Sequence, residues 1–161
     1  MSVAILMGSD SDLDVVSKAF DVLDSFDVKY TKNVLSAHRT PAEVLNLVNN
    51  AESSGIKVFI AAAGMAAHLA GAVAAHSTKP VIGIPIESGG MGGIDSLLST
   101  AMMPPGVPVA TVAVGKSGAK NSAILAVQIL ATSNDDLARK LKDFKENMRA
   151  EVLEKDKKLN S

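Results

Sequence analysis

The chain has no cysteine in its 161 residues, which excludes disulfides, thiolate nucleophiles and cysteine-ligated zinc together. Tryptophan is absent and aromatic residues make up only 3%, so few ring faces exist on which bases can stack. Neither sign of charge dominates. The formal net charge is −1, and no basic field is present to gather nucleic acid or anionic lipid. Long apolar runs are missing too: the opening "MSVAILMGSD" is too short for a signal sequence or a membrane span. Later apolar stretches are rich in Gly and Ala and are broken by His68 or Lys79. The expectation is a soluble cytoplasmic protein with no nucleic-acid or membrane partner.

What is present is a core. Hydrophobic residues make up 47%, enough at this length for one domain around one sizeable interior. Short apolar runs alternate with helical patterns. Strands are expected at "VAILM" (3–7), "VKYTKNVL" (28–35), "KVFIAA" (57–62), "VIGIPI" (81–86) and "VPVATVAV" (107–114). Helices are expected over 13–26, from Pro41, around 66–76, over 93–102, over 119–132 and over 134–159. Thr40, Pro41 and Glu43 have the spacing of a capping box at a helix start. Continuous apolar strands alternating with helices imply a parallel sheet covered on both faces. The fold class is therefore α/β: a three-layer αβα sandwich on a flavodoxin-like parallel sheet of about five strands, with a long C-terminal helix.

Residues 1–133 are expected to form the α/β catalytic domain, and 134–161 a helical arm belonging to the same unit. The arm carries one apolar stripe, Leu137, Leu141, Phe144, Met148 and Val152, on an otherwise charged sequence. It can lie along its own domain or pack on a neighbouring subunit, and its length favours the neighbour.

Ligands of open parallel sheets bind beyond the carboxyl ends of the strands, so three strand-to-helix turns matter most. In "MGSDSD" (7–12), helix amides and the hydroxyls of Ser9 and Ser11 suit an anion, while one of the two carboxylates, Asp10 or Asp12, suits ribose hydroxyls; the alternative is that Ser9 and Asp12 only cap the helix. In "SAHRTP" (36–41), Arg39 offers a permanently charged fork for phosphate, with Ser36 beside it. His38 is the side chain there that gives and takes protons near neutrality. The third turn, "AAAGMAAHLAG" (61–71), has Gly64 and small neighbours that let a ligand approach the backbone. His68 follows on the first turn of the next helix, and serves there either a ligand or the local structure. His76, the last of the three histidines, reads as surface. No third ligand stands at metal spacing from His38 and His68, so no metal is expected. The glycine-rich "ESGGMGGIDS" (87–96) reads as a mobile loop suited to closing over a ligand. "AVGKSGAK" (113–120) lacks the spacing of a phosphate-binding loop.

In this order, "MGSDSDL", "SAHRTP", "GMAAHLAG", "GIDSLLS", "MPPGVPVATVAVG" and "NSAILAVQIL" resemble segments of the class I N5-carboxyaminoimidazole ribonucleotide mutases of purine biosynthesis. The resemblance runs from residue 3 to about 132. It implies an isomerase that moves a carboxylate from the exocyclic nitrogen to carbon 4 of an aminoimidazole ribonucleotide. No metal, ATP or organic cofactor is implied, and the assembly is a homo-octamer. It makes His38 the general acid/base. Ser9, Asp12 and Arg39 bind the nucleotide, with Ser11 and Ser36 near its phosphate and Asp12 toward its ribose. Ala63, Gly64, Met65, His68 and Leu69 line the pocket for the base and the migrating carboxylate. The family pattern "GGAAHLPG" is here "GMAAHLAG", which places Met65 beside the base and Ala70 at the helix start. Two rivals stand beside this reading. A related class that carboxylates aminoimidazole ribonucleotide directly carries lysine in the histidine turn, where this chain has Arg39. A non-catalytic flavodoxin-like nucleotide-binding module leaves His38 idle.

Overall fold

The computed structural model describes residues 3–51 and 53–160; residues 1, 2 and 161 of the two expected units lie outside them. Strand β1 (Val3–Met7) is wholly buried and its side chains alternate between two cores. Val3, Ile5 and Met7 face one layer, and Ala4 and Leu6 face the other. A strand covered on both faces needs an unbroken apolar run rather than an alternating one, and "VAILM" is such a run. After a single 3-10 turn (Asp10–Asp12) come α1 (Leu13–Ser25), β2 (Tyr30–Val34), α2 (Pro41–Asn49), β3 (Val58–Gly64), α3 (Leu69–His76), β4 (Val81–Ile86), α4 (Ile94–Ala101), β5 (Ala110–Thr111), α5 (Gly115–Ala131) and α6 (Asp135–Leu159).

The strands are all parallel in the order β2-β1-β3-β4-β5. One layer is built by Val16, Ala19, Phe20 and Leu23 of α1, Ala119, Ala123, Ala126 and Val127 of α5, and Leu137 of α6. The opposite layer takes Val44 and Val48 of α2 with Leu69, Ala70 and Val73 of α3. On that side α4 closes over β4, where the absence of a side chain at Gly83 admits Thr100. The result is the expected three-layer, flavodoxin-like sandwich. Its strand order reverses between β1 and β3, and the crevice for a ligand opens at that switch point.

Three local expectations differ from the structure. The fifth strand shrinks from 107–114 to Ala110–Thr111, because it is an edge strand entered through Pro104, Pro105 and Pro108. Helix α5 begins four residues early, at Gly115. Its first turn reads as loop, yet Gly118 and Ala119 are buried there, so close packing overrides propensity. The capping box at α2 does not form: Thr40 makes no cap. Its hydroxyl instead accepts from the Ser36 amide at 2.8 Å and donates to the Ser36 carbonyl at 3.1 Å.

The stripe on α6 divides. Leu137, Leu141 and Phe144 pack on the α1/α5 layer, with Phe144 edge-on to Phe26 at 5.6 Å. Lys140 pairs with Asp27 at 2.8 Å. Beyond them Met148 is 52% exposed and Val152 64%.

Candidate active site

Four strand ends meet at one cavity of about 540 Å³, within the range of small-ligand sites. The first wall is the turn after β1. The Gly8 amide donates to the Ala62 carbonyl at 3.0 Å and so fastens this turn to β3. Ser9 is extended and its hydroxyl oxygen accepts from the Ser11 amide at 3.3 Å and the Ser11 hydroxyl at 2.9 Å. The amides of this turn are held within it: that of Ser11 donates to the Ser9 hydroxyl and that of Asp12 to the Ser9 carbonyl at 3.2 Å. Asp12 is buried beneath it. Burial holds its carboxyl above the usual carboxylate range, the Asp10 charge adds to this, and hydrogen bonds from Ser9 and Ser11 and the charge of Arg39 oppose it.

The second wall follows β2. The Ser36 hydroxyl oxygen accepts from the amides of His38 at 3.3 Å and Arg39 at 3.2 Å, which leaves its own proton free to donate. The Arg39 guanidinium donates to the Gly8 carbonyl at 2.6 Å and so joins the second wall to the first. Arg39 thus spends one donor on the protein and keeps the rest of its fork for a ligand.

The third wall follows β3: Ala63, Gly64, Met65, Ala66, His68 and Leu69. Met65 is in the left-handed region at φ 54° and is 62% exposed. His68 caps α3 rather than lying within its first turn. Its Nδ1 stands 2.7 Å from His38 Nε2, the rings nearly perpendicular at 83°. At that distance one nitrogen carries the proton and the other its lone pair, so the two rings form a proton-sharing pair.

Every residue singled out in the sequence therefore lies along this one cavity: Ser9, Ser11, Asp12, Ser36, His38, Arg39, Ala63, Gly64, Met65, His68 and Leu69. Gly8, Ala37, Ala66 and Ser88 complete the lining. The first three sit inside the quoted turns and were within reach of the sequence. Ser88 lies in the run 87–96, which reads as a loop closing over a ligand but carries no local signal that singles out this serine. His76 is exposed and borders a separate apolar cavity of about 270 Å³ between α2 and α3. Among the described residues no three His, Cys, Asp or Glu side chains gather as metal ligands, and no helix is long and apolar enough to cross a membrane.

A close histidine pair beside serine-rich turns, at the switch point of a 2-1-3-4-5 sheet, marks the chain as an enzyme of the flavodoxin-like class. Comparison with known proteins narrows this. A family model described as AIR carboxylase matches residues 2–151, and the chain belongs to that family. It is 52% identical over 152 residues to the N5-carboxyaminoimidazole ribonucleotide mutase of Bacillus subtilis, covering 94% of each chain. It is 50% identical over 157 residues to the Thermotoga maritima protein of the same name, covering 98% of this chain and 91% of that one. A crystal structure of Treponema denticola PurE superposes with a TM-score of 0.90 at 30% identity, over 99% of both chains.

Proposed function

We propose that the chain is an N5-carboxyaminoimidazole ribonucleotide mutase, reversibly moving a carboxylate from the exocyclic nitrogen to carbon 4 of the imidazole. The observation that carries this reading is the pairing of His38 with His68 at 2.7 Å in the cavity that also holds Arg39 and the serine turns. The phosphate of the nucleotide lies at Ser9, Ser11, Ser36 and Arg39, the ribose over Asp12, and the base against Ala63, Gly64, Met65 and Leu69. His38 delivers a proton to the exocyclic nitrogen as the bond from nitrogen to the carboxylate carbon breaks, releasing carbon dioxide and a neutral aminoimidazole. Carbon 4 attacks the retained carbon dioxide, and His38 then removes the proton from carbon 4. One proton is given and one returned, so the enzyme ends as it began. Holding carbon dioxide in a closed pocket turns recapture into a positioned step.

The site serves a small-molecule nucleotide and needs no metal or organic cofactor for these steps. We place the protein in the cytoplasm as a homo-octamer. Ile94 and Leu98 of α4 and Met102 just past its end are exposed at i, i+4 and i+8, an apolar row that a neighbouring subunit covers. The outer half of α6, the arm from residue 134 onward, offers a second such surface.

The test is interconversion of the two carboxylated isomers without metal or ATP. Wild type is expected to run it in both directions, and His38→Asn to abolish it while still binding nucleotide. A well-folded wild type that interconverts nothing overturns the assignment.

A further inference from the structure

Ser88 stands two residues beyond Ile86, the residue that pairs with Gly64 across β4 and β3. A Cβ built on Gly64 would lie 2.0 Å from Ser88 Oγ, 3.0 Å from Ser88 Cβ and 3.2 Å from the Ile86 carbonyl. The serine hydroxyl therefore occupies the space that any side chain at position 64 would fill, and glycine there is what admits it to the cavity. Among the described residues nothing hydrogen-bonds that hydroxyl. The other serines of the cavity are different: Ser9, Ser11 and Ser36 are bonded within their own turns.

The sheet order places Ser88 opposite the phosphate walls. Those walls follow β2 and β1, the histidines converge near β3, and Ser88 follows β4. Adjacent strands are separated by about 4.8 Å, so Ser88 lies roughly 10 Å across the sheet from the first turn. A nucleotide with its phosphate at β1 and β2 and its base over β3 points whatever lies beyond the base toward β4.

We propose that Ser88 is the donor that holds the migrating carboxylate, and the carbon dioxide formed from it, at the β4 end of the cavity. The inference rests on the mutase reading above. A neutral hydroxyl suits the task. A lysine or arginine there would stabilise the ground-state carboxylate and raise the barrier to releasing it, whereas a hydroxyl donates one bond to an oxygen throughout the transfer.

The experiment compares wild type with Ser88→Ala on two readouts. The first is binding of 4-carboxy-5-aminoimidazole ribonucleotide against the decarboxylated 5-aminoimidazole ribonucleotide. The second is the fraction of turnovers that release the decarboxylated product. Because the hydroxyl bonds no protein group, Ser88→Ala keeps the wild-type Tm. It is expected to bind the carboxylated ligand about tenfold less tightly, as loss of a bond to a charged group implies. The decarboxylated ligand is held as before, and the leaked fraction rises. Equal weakening of both ligands, or an unchanged leak in an enzyme that interconverts the isomers, overturns the Ser88 assignment alone. A wild type that does not interconvert the isomers overturns the mutase reading and this subsite with it.

Discussion

Asp12 is a buried carboxyl in the wall of the cavity, set toward the ribose in the proposed mutase at a cost in stability. Its carboxyl is buried and its proton is held more tightly in the folded state than in the unfolded chain. Such a group contributes stability fully below its unfolded pKa, and that contribution is lost as pH rises through the raised folded value. At neutral pH Asp12 therefore costs stability. Asp12→Asn is expected to raise Tm at pH 7, with the advantage shrinking as the pH is lowered into the ordinary carboxylate range; melting curves across pH check it. The same change is expected to lower kcat/KM by about tenfold or more, since hydrogen bonds to a charged carboxylate are worth more than neutral ones. At this scale the site was largely legible, because each turn announces itself locally: Gly-Ser-Asp, His-Arg before Thr-Pro, and glycine among alanines. Met65 is instructive. The family pattern has glycine at that position, and φ 54° is a conformation in which a β-carbon is strained and glycine is not. What the sequence concealed is contact between turns, since neither the approach of His38 to His68 nor the placement of Ser88 against Gly64 is written in any local spacing.

Elements were legible wherever periodicity carried them and obscure wherever packing did. Strands β1 and β4 match their expected bounds residue for residue, since continuous apolar runs leave little choice. Helix α5 is the counterexample. "GKSG" reads as a break, but its second glycine, Gly118, lets α5 lie close to the segment before it. A Cβ at Gly118 would stand 1.6 Å from the Ala113 carbonyl oxygen and 2.7 Å from its carbon. In an exposed helix, Gly→Ala stabilises by about 1 kcal/mol; here the sign reverses. Gly118→Ala is expected to destabilise the protein by about 1–3 kcal/mol, the usual cost of forcing atoms into a filled interior, and chemical denaturation measures it. A stabilised variant would show that α5 can slide away from Ala113. The missing capping box at α2 has the same cause in miniature: Thr40 faces two possible partners, and closing the Ser36 turn holds the His38–Arg39 backbone where the site needs it.

The whole molecule is a sheet with its chemistry at one edge and an arm that outruns it. Helix α6 has 25 residues, which at 1.5 Å per residue makes about 37 Å, against a radius of gyration of roughly 14 Å for a domain the size of residues 1–133. The burial pattern shows where its outer turns leave their own core: Phe144 packs on Phe26, while Met148 and Val152 stay exposed. Two variants separate the halves. Phe144→Ala removes a ring from the protomer's own core and is expected to lower its Tm, a destabilisation smaller than the cost of about 3–5 kcal/mol for a fully buried phenylalanine because the ring is only partly covered. Met148→Lys with Val152→Lys changes residues outside the protomer's core cluster, so the folded protomer is expected to keep its circular dichroism spectrum. Burying two ammonium groups in an apolar contact is unfavourable unless each finds a partner, so the assembly is expected to fall to smaller species in light scattering. An unchanged mass would mean that the outer arm stays in solvent and that the exposed row of Ile94 and Leu98 on α4 with Met102 at its end carries the assembly instead. The cavity lies at the strand ends and takes no lining residue from α6, so isomer interconversion by the dissociated variant then tells whether one protomer's cavity is sufficient for turnover.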